Sequence, residues 1–480
     1  MFKFYIFMKK MNSNDFSYLL LIFFSFLYKI VGKKLNNSEM LKTESMTSTL
    51  AKQKNHFGKV LFSSMIGNAL EWYDFMLYGY CSVMISALFF PSSDPFISLL
   101  KTYGVFFAGF VMRPLGGALF GYLGDKIGRK QALSWSIYCM AIPTALIGTL
   151  PTYEVIGWMA PVMLTVLRLF QGLSMGGEFT GSIVFIVEHA PAGRKGFWGS
   201  WAALSCALGS MMGVGICVIL GSIFTEKEMY AFAWRIPFLI SVLGSFVGAY
   251  MRKKLDDPED FKKEASKPQA TKVLWSTLFQ NYKLSLNNVF YIDSIIAVGF
   301  FIICLFVVNY LQNFIGFSYF SANWISVMGT GTLGLAMLLG GHMSDVWGTK
   351  KVMLRGLACM ILFAVPCFSG LSSGNWWMAA VCQILLASML GFYFGAMPAA
   401  LVRLFPPKVR CLGIALAHNF TMTVLGGTAP YVATFAMQKT QIYAGQSFSL
   451  LVPGFYLALT AALSFFGIWK IKNMNPHAID

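Results

Sequence analysis

The chain has 480 residues, of which 56% are hydrophobic and only 12% are charged; its mean hydropathy is +0.62. Soluble domains carry about 25% charged residues, so this composition excludes an ordinary soluble protein and indicates one that crosses a membrane several times. The formal charge of +17 would favour nucleic acid in a soluble domain. Here the cations lie in short loops, where membrane topology requires them, so no nucleic-acid partner is expected.

Residues 1–56 differ from the regular pattern that follows and are predicted to be an N-terminal extension. Their apolar stretch at 16–28 is interrupted by Lys29, and it is shorter than the about 20 apolar residues that a spanning helix needs. It resembles the apolar core of a signal peptide, but no small-residue cleavage site follows it. We interpret 1–56 as a disordered or weakly interfacial extension, with Met40 or Met46 as the working start. An extra spanning helix is the alternative.

Long apolar runs recur from Val60 onwards and predict twelve spanning helices, because a helix satisfies its own backbone polar groups in lipid. A polar segment at 251–283 separates six of them from six, and we interpret it as a cytoplasmic linker. It divides a half at 57–250 from a half at 284–474, which a short tail at 475–480 follows. The predicted helices are 60–90, 98–122, 131–150, 155–188, 197–221, 232–250, 284–313, 321–344, 352–370, 376–403, 411–437 and 447–470.

Lysine and arginine residues cluster in the loops on one side of the predicted bundle, and few lie on the other side. Loops rich in these residues stay in the cytoplasm. Both termini are therefore expected to be cytoplasmic, in a multi-pass protein of the plasma membrane. The cations that decide this orientation include Lys52, Lys54, Lys59, Lys126, Arg129, Lys130, Arg194, Lys195, Lys350, Lys351, Lys408 and Arg410.

A short polar hairpin, GYLGDKIGRK at 121–130, follows the second predicted helix. A degenerate copy, GHMSDVWGTK at 341–350, follows the eighth, and the two aspartates lie 220 positions apart. This repeat predicts a duplicated chain with its substrate site near the membrane midplane between the halves. An aspartate there can accept hydrogen bonds from a helix N-terminus or an arginine, and so close a cytoplasmic gate. The expected gate residues are Gly121, Asp125, Gly128, Arg129, Lys130, Asp345, Gly348 and Lys350.

The paired hairpins resemble those of the major facilitator superfamily. Within it, four stretches are similar to the metabolite:proton symporter family: GNALEWYDF at 67–75, RPLGG at 113–117, RLFQGLSMGGE at 168–178 and WRIPF at 234–238. The resemblance covers the chain from about residue 57. It implies an all-α membrane protein with the major facilitator fold, in which twelve transmembrane helices form two six-helix halves with pseudo-two-fold symmetry. It also implies a proton-coupled symporter of a bacterial inner membrane that works by alternating access.

The sequence departs from the superfamily pattern at two positions of the second half. Thr349 stands where the hairpin pattern has an arginine, and Arg403 stands where the first half has Glu188. We therefore expect the second gate to be held by fewer charge contacts.

Ionisable residues within the predicted spans are the candidate functional residues, because burying a charge in the membrane is costly. The first helix contains Glu71 and Asp74, and the fourth contains Arg168 and Glu178. All four are assigned to proton coupling, with Asp74 as the carrier that exchanges its proton as Arg113 or Arg168 approaches and withdraws. A structural role is an equal alternative for Glu71 and Glu178.

Two further ionisable residues are interpreted without a functional role. Asp293 lies near the start of the seventh helix, where a headgroup-region position would explain it. His418 stands alone in the eleventh helix and is interpreted as a packing residue.

The expected substrate is a small zwitterion such as proline or glycine betaine, because a quaternary ammonium gains about 0.5–2 kcal/mol on an aromatic face. The alternative is a dicarboxylate resembling 2-oxoglutarate, attracted by Arg113 and Arg168; a non-transporting solute sensor is more remote. We expect no enzyme activity, no catalytic residue, no cofactor and no metal. The expected partners are the substrate, the proton and the lipid bilayer, and the expected state is a monomer. The expected substrate contacts are Arg113, Trp72, Tyr73, Tyr78 and Tyr393.

Overall fold

The computed structural model describes residues 58, 61–62, 64–127, 129–242, 244, 278–406 and 409–471, and the side chains of 121–134 are outside this description. From Leu61 onwards the described residues belong to one compact unit. They are almost entirely helical, and no strand occurs among them. The described residues begin at Gly58, so the predicted extension at 1–56 lies outside them. Most of the predicted linker and the predicted tail also lie outside them.

The described part of the first half contains six main helical segments, besides short helices at Tyr153–Ile156 and Glu226–Ala231. Two of the main segments are interrupted by a single residue, Cys81 or Met112. They are α1 (64–80, continued by Ser82–Phe89), α2 (Pro95–Val111, continued by Arg113–Ile127), α3 (Arg129–Thr149), α4 (Met159–Ser174, continued by Glu178–His189), α5 (Lys195–Ile223) and α6 (Ala233–Val242).

The described part of the second half repeats this arrangement with six further segments. They are α7 (Lys283–Ile315), α8 (Tyr319–Trp347), α9 (Thr349–Leu371), α10 (Trp376–Arg403), α11 (Arg410–Thr421, then a π-helical turn at Met422–Gly426, then Ala429–Ala444) and α12 (Gln446–Lys470).

Each of the twelve predicted helices coincides with one of these segments. In the described part of the chain, α2, α4, α5, α7, α8, α9, α10 and α12 are long and apolar enough to cross a membrane. Shorter apolar helices lie within α3 and in α6. The predicted boundaries of the halves, linker and termini stay predictions.

The hairpins are tighter than the sequence suggested. We expected a polar loop at 121–130, but α2 continues to Ile127 and α3 begins at Arg129. In the second copy, α8 ends at Trp347 and α9 begins at Thr349. Gly348 alone separates them, with a φ of 88°, a conformation that costs a glycine little. In the second copy the chain therefore reverses at Gly348, and most of that polar motif is helical.

The second and fourth helices of each half pack with their backbones in direct contact. A Cβ added at Gly172 of α4 would overlap the carbonyl of Gly109 in α2, and one at Gly395 of α10 would overlap the carbonyl of Met337 in α8. Small residues drive helix association in lipid through such close approach. The same contact in both halves reflects the duplication.

We predict that Gly395→Ala destabilises the protein, because the added methyl group meets backbone atoms that cannot move aside. Overpacking of this kind costs about 1–3 kcal/mol. The measurement is the midpoint of thermal unfolding of the purified protein in detergent. Gly181→Ala is the matched control, since a Cβ at Gly181 meets no atom within 4 Å; equal midpoints for the two variants would contradict the packing role.

Candidate transport site

The two halves are joined where the degenerate hairpin meets the start of α5. The Asp345 carboxylate accepts hydrogen bonds from the backbone N–H groups of Gly196 (2.7 Å) and Phe197 (2.8 Å). These N–H groups belong to the first turn of a helix, where the backbone donors have no helical partner and the helix dipole favours an anion. Asp345 thus has the contact that we expected of a gate aspartate.

Two further polar contacts lie at this end of the bundle, which we call the hairpin end. Glu188 of α4 forms an ion pair with Arg410 of α11, between the halves. Within the second half, Arg403 donates to the Thr349 hydroxyl at 2.7 Å. The two departures from the superfamily pattern, Thr349 and Arg403, are therefore partners of each other.

The remaining predicted gate residues divide into two groups. Lys350 donates to the carbonyls of Trp469 and Ile471, at 2.8 Å each, so its contacts stay within the second half. The side chains of the first hairpin are outside the description; the backbone places Gly121 and Asp125 near the end of α2, and Arg129 and Lys130 at the start of α3.

The halves also meet at the opposite end of the bundle. Asn309 of α7 donates to the hydroxyls of Ser82 (2.8 Å) and Tyr103 (2.6 Å) in the first half. The Phe96 and Phe314 rings lie 5.2 Å apart, again between the halves. Because contacts hold both ends together, this structure corresponds to an occluded arrangement.

Five aromatic rings meet between the halves, and we call them the aromatic cluster. Trp72 of α1 lies 4.9 Å from Phe300 and 6.2 Å from Phe301, both in α7. Phe179 of α4 lies 6.4 Å from Trp72 and 6.2 Å from Phe394 of α10. All five side chains are buried, and the Trp72 indole N–H makes no hydrogen bond among the described residues. Trp72, one of the predicted substrate contacts, is thus part of the aromatic cluster between the halves.

The three predicted tyrosines use their hydroxyl groups within their own halves. Tyr73 donates to the Pro237 carbonyl and Tyr78 to the Thr102 carbonyl, both at 2.9 Å. Tyr393 donates to the Ile292 carbonyl at 2.7 Å. These bonds fix helix positions and leave only the rings of the tyrosines for other contacts.

Arg168 is fully buried in an aromatic environment. Its guanidinium lies 4.3 Å from the ring centre of Phe75 and 4.5 Å from that of Tyr78, so cation–π attraction stabilises its charge. It donates to Gln171 at 2.7 Å, one turn along α4. Gln171 is therefore the close polar partner of the Arg168 guanidinium. The expected approach of this guanidinium to Asp74 is not seen in this arrangement.

Arg113 connects the halves more directly. Its Nε donates to the Asn419 side chain of α11 at 3.2 Å, and Asn419 donates in turn to the Gly176 carbonyl at 2.5 Å. The negative charge of Glu71 stabilises the guanidinium. Arg113 Nη1 makes no hydrogen bond among the described residues, so a buried donor of this arginine is available to another acceptor.

Three predicted proton-coupling carboxylates line one small cavity in the first half, which we call the acidic cavity. Glu71 and Asp74 reach it from α1, and Glu178 reaches it from α4. Ser241 of α6 is a polar neighbour of Asp74. The sequence assigned these acids to one function, and the structure places them around one space.

The interpretation of Asp293 and His418 was wrong about their surroundings. Both side chains are fully buried, and His418 Nδ1 lies 2.9 Å from Asp293 Oδ2. Asp293 is therefore not in a headgroup region, and His418 is not a lone packing residue. The only sequence signal for this pair was an ionisable residue in each of two long apolar segments.

Comparison with known families and proteins agrees with this architecture. Residues 60–257 match the family described as Sugar (and other) transporter, and residues 289–475 match the Major Facilitator Superfamily. The chain belongs to the major facilitator superfamily. The resemblance to its metabolite:proton symporter family is also confirmed by the relatives below, and the fold is the expected twelve-helix fold of two six-helix halves.

Two relatives in this superfamily are similar along most of their length. The proline/betaine transporter of Escherichia coli (strain K12) is 29% identical over 416 residues, which cover 84% of this chain and 81% of that protein. The glycine betaine/proline/ectoine/pipecolic acid transporter OusA of Dickeya dadantii (strain 3937) is 30% identical over 429 residues, covering 87% and 84%. The chain is thus an integral membrane protein of a transporter superfamily.

A solved structure of the same superfamily has a similar fold. The partially occluded inward-open xylose transporter XylE from E. coli matches with a TM-score of 0.69, covering 87% of this chain and 98% of that one. Its sequence identity is 14%, so this likeness concerns the fold.

We predict that Asp345→Asn opens the hairpin end. The amide keeps one acceptor oxygen and loses the carboxylate charge, and a hydrogen bond to a charged group contributes about 1.5–3 kcal/mol. A loss of about 1.4 kcal/mol shifts the closed–open equilibrium tenfold. A single cysteine at Ser200, buried beside Gly341, should then react with a maleimide about tenfold faster.

The experiment needs a background in which the nine native cysteines are replaced. Lys350→Met is the matched control, because Lys350 contacts only its own half and should leave the labelling rate unchanged. Equal rates for Asp345→Asn and the parent would show that the contact does not hold the gate.

Proposed function

We propose that this protein is a proton-coupled symporter of a small zwitterion, such as proline or glycine betaine, which works by alternating access in the bacterial inner membrane as a monomer. The aromatic cluster between the halves carries this proposal. The names of the similar proline and betaine transporters support it. Both termini and the hairpin end would face the cytoplasm, where the loop cations belong.

The site suits a molecule with one positive and one negative group. The faces of Trp72 and Phe300 can hold a quaternary or secondary ammonium through cation–π attraction. Arg113 can bind the carboxylate, since its Nη1 is buried without a hydrogen bond among the described residues. A dicarboxylate would need two cationic contacts. Arg168 also has two buried donors, Nε and Nη2, without a hydrogen bond among the described residues, but its guanidinium is enclosed by Phe75 and Tyr78. The dicarboxylate alternative is therefore less favoured.

The acidic cavity suits proton coupling. Carboxyl groups that share a desolvated site titrate together and can hold a proton among them. We assign the carried proton to Asp74, with Glu71 and Glu178 as neighbours that share the cavity. Arg168 would act when α1 and α4 move relative to each other and its charge approaches Asp74. That motion would bind or release the proton as the halves rock.

The first hairpin would mirror the second. Asp345 of the second half binds the start of α5, so by symmetry Asp125 of the first half would bind the start of α11, the corresponding helix. Gly121 and Gly128 would allow the approach, and Arg129 and Lys130 would hold the hairpin in the cytoplasm.

The substrate is tested by uptake in cells that lack proline and betaine transport. We expect accumulation of labelled glycine betaine and proline, but not of 2-oxoglutarate, and a protonophore should abolish it. Trp72→Leu should raise the half-saturation concentration for betaine by roughly 2- to 30-fold, which corresponds to about 0.5–2 kcal/mol of cation–π attraction. Trp72→Phe keeps an aromatic face and should raise it less.

Trp158→Leu is the matched tryptophan control, because this side chain is 69% exposed and lies just before the first residue of α4. Accumulation of 2-oxoglutarate alone would replace the zwitterion by the dicarboxylate alternative. Accumulation that a protonophore does not affect would refute proton coupling, and binding without uptake would favour a sensor.

We predict that Asp74→Asn abolishes accumulation against a gradient and spares counterflow exchange, because exchange requires no net proton movement. The measurement compares labelled betaine uptake with counterflow in the same proteoliposomes. Glu71→Gln is the internal control and should cause a milder loss. Protonophore-sensitive accumulation by Asp74→Asn would transfer the carrier role to Glu178 or Glu71.

A further inference from the structure

A second titratable pair lies outside the acidic cavity, in the other half of the protein. Asp293 of α7 and His418 of α11 are both fully buried, with 2.9 Å between Asp293 Oδ2 and His418 Nδ1. Ionisable residues inside a membrane protein are costly and are a default indication of function. The proposed function does not use this pair.

The pair is adjacent to the groups proposed to bind the substrate. The His418 ring lies 5.2 Å from Phe179 of the aromatic cluster. The next residue, Asn419, accepts the hydrogen bond of Arg113. On α10, the Tyr393 phenol is close enough to interact electrostatically with Asp293. Charged and titratable groups near the pair, among the described residues, include Tyr393, Arg113 and, beyond Arg113, Glu71.

One nitrogen of His418 makes no hydrogen bond. Nε2 is buried and has no partner among the described residues, and Asp293 Oδ1 is also without one. In a neutral imidazole whose Nδ1–H donates to Asp293, Nε2 carries a lone pair and accepts hydrogen bonds. In the imidazolium form, both nitrogens are donors. One proton therefore changes Nε2 from a group that repels a carboxylate into one that binds it.

The helices that carry the pair both contain a π-helical turn, and in α11 this turn is close to the pair. Alpha-helical geometry gives way to a π-helical turn at Ile302–Phe306 in α7 and at Met422–Gly426 in α11. Such turns are frequent at functional sites. The turn in α11 begins one turn beyond His418, so this helix is irregular next to the pair.

We propose that the Asp293–His418 pair is a second proton site, which takes up a proton at His418 Nε2 together with the carboxylate of the substrate. This inference rests on the proposed function. The proton comes from solution, the carboxylate accepts the new Nε2–H, and Asp293 keeps the ring oriented through Nδ1. No covalent bond of the substrate changes. Because linkage is reciprocal, proton binding strengthens carboxylate binding by the same factor as the reverse.

The test is the pH dependence of exchange without a proton gradient. Counterflow of labelled glycine betaine and proline is measured in proteoliposomes with equal pH on both sides, from about pH 5.5 to about pH 8.5, which spans the range in which histidine titrates. In the wild type, we expect the half-saturation concentration to rise at least about fivefold towards high pH, since one proton linked to binding can give up to about tenfold per pH unit. In His418→Gln, this rise should shrink to about twofold or less.

A double variant separates this role from folding. His418→Gln leaves the Asp293 carboxylate without its partner, whereas Asp293→Asn/His418→Gln removes both titratable groups. The double variant should show the same shallow pH profile, because the two residues act as a unit. His189→Gln changes a histidine outside the pair, exposed and bonded to the Phe185 carbonyl, and should keep the wild-type profile.

The outcomes separate the two proposals. A wild type that exchanges neither betaine nor proline would contradict the proposed function and this inference with it. A wild type that exchanges these solutes, with a double variant that keeps the full wild-type pH profile, would overturn the second proton site and leave the proposed function standing.

Discussion

The cost of placing charge in a membrane explains the contacts of the buried charged groups in this protein. A buried ionisable group in lipid must be paired, hydrogen-bonded or stabilised by aromatic faces. Arg168 is enclosed by aromatic rings and Gln171, and Arg113 is joined to Asn419 near Glu71. These arrangements combine residues from different helices, so the charged groups determine which helices remain neighbours.

The same cost makes these contacts suitable for a protein that changes conformation. A charged group that has a partner in the occluded arrangement needs a replacement partner in each open arrangement, because an unpaired charge in hydrocarbon is costly. Asp345 would meet this condition at the start of α5, where it accepts hydrogen bonds from two helix N–H groups and would exchange them for water if the proposed gate opened. Arg113 bonds to Asn419 across the halves and would lose this partner as they separate. A substrate carboxylate could replace it, which would tie substrate binding to the position of the halves.

The sequence was sufficient to predict the helices and the duplication and to select candidate functional residues, because each of these steps rests on local composition or spacing. Asp345 was assigned to a gate from its place in a repeated hairpin, and the structure gives it helix N–H partners. Pairings between distant residues were not accessible in this way. Spacing could place Arg168 and Asp74 in spans of one half, but only packing shows that Arg168 bonds to Gln171. For the same reason, Asp293 and His418, 125 positions apart, looked unrelated.

The two halves carry their titratable groups differently, and this asymmetry has a mechanistic consequence. In the first half, three carboxyl groups line one cavity, and Glu71 among them also stabilises the charge of Arg113. In the second half, one acid is paired with one base. Under our proposals, the first arrangement would share a proton among carboxyl groups, whereas the second would change the hydrogen-bonding character of a single nitrogen. Duplication supplied equivalent scaffolds, and the separate placement of these groups would put the two proposed proton sites in different halves of the protein.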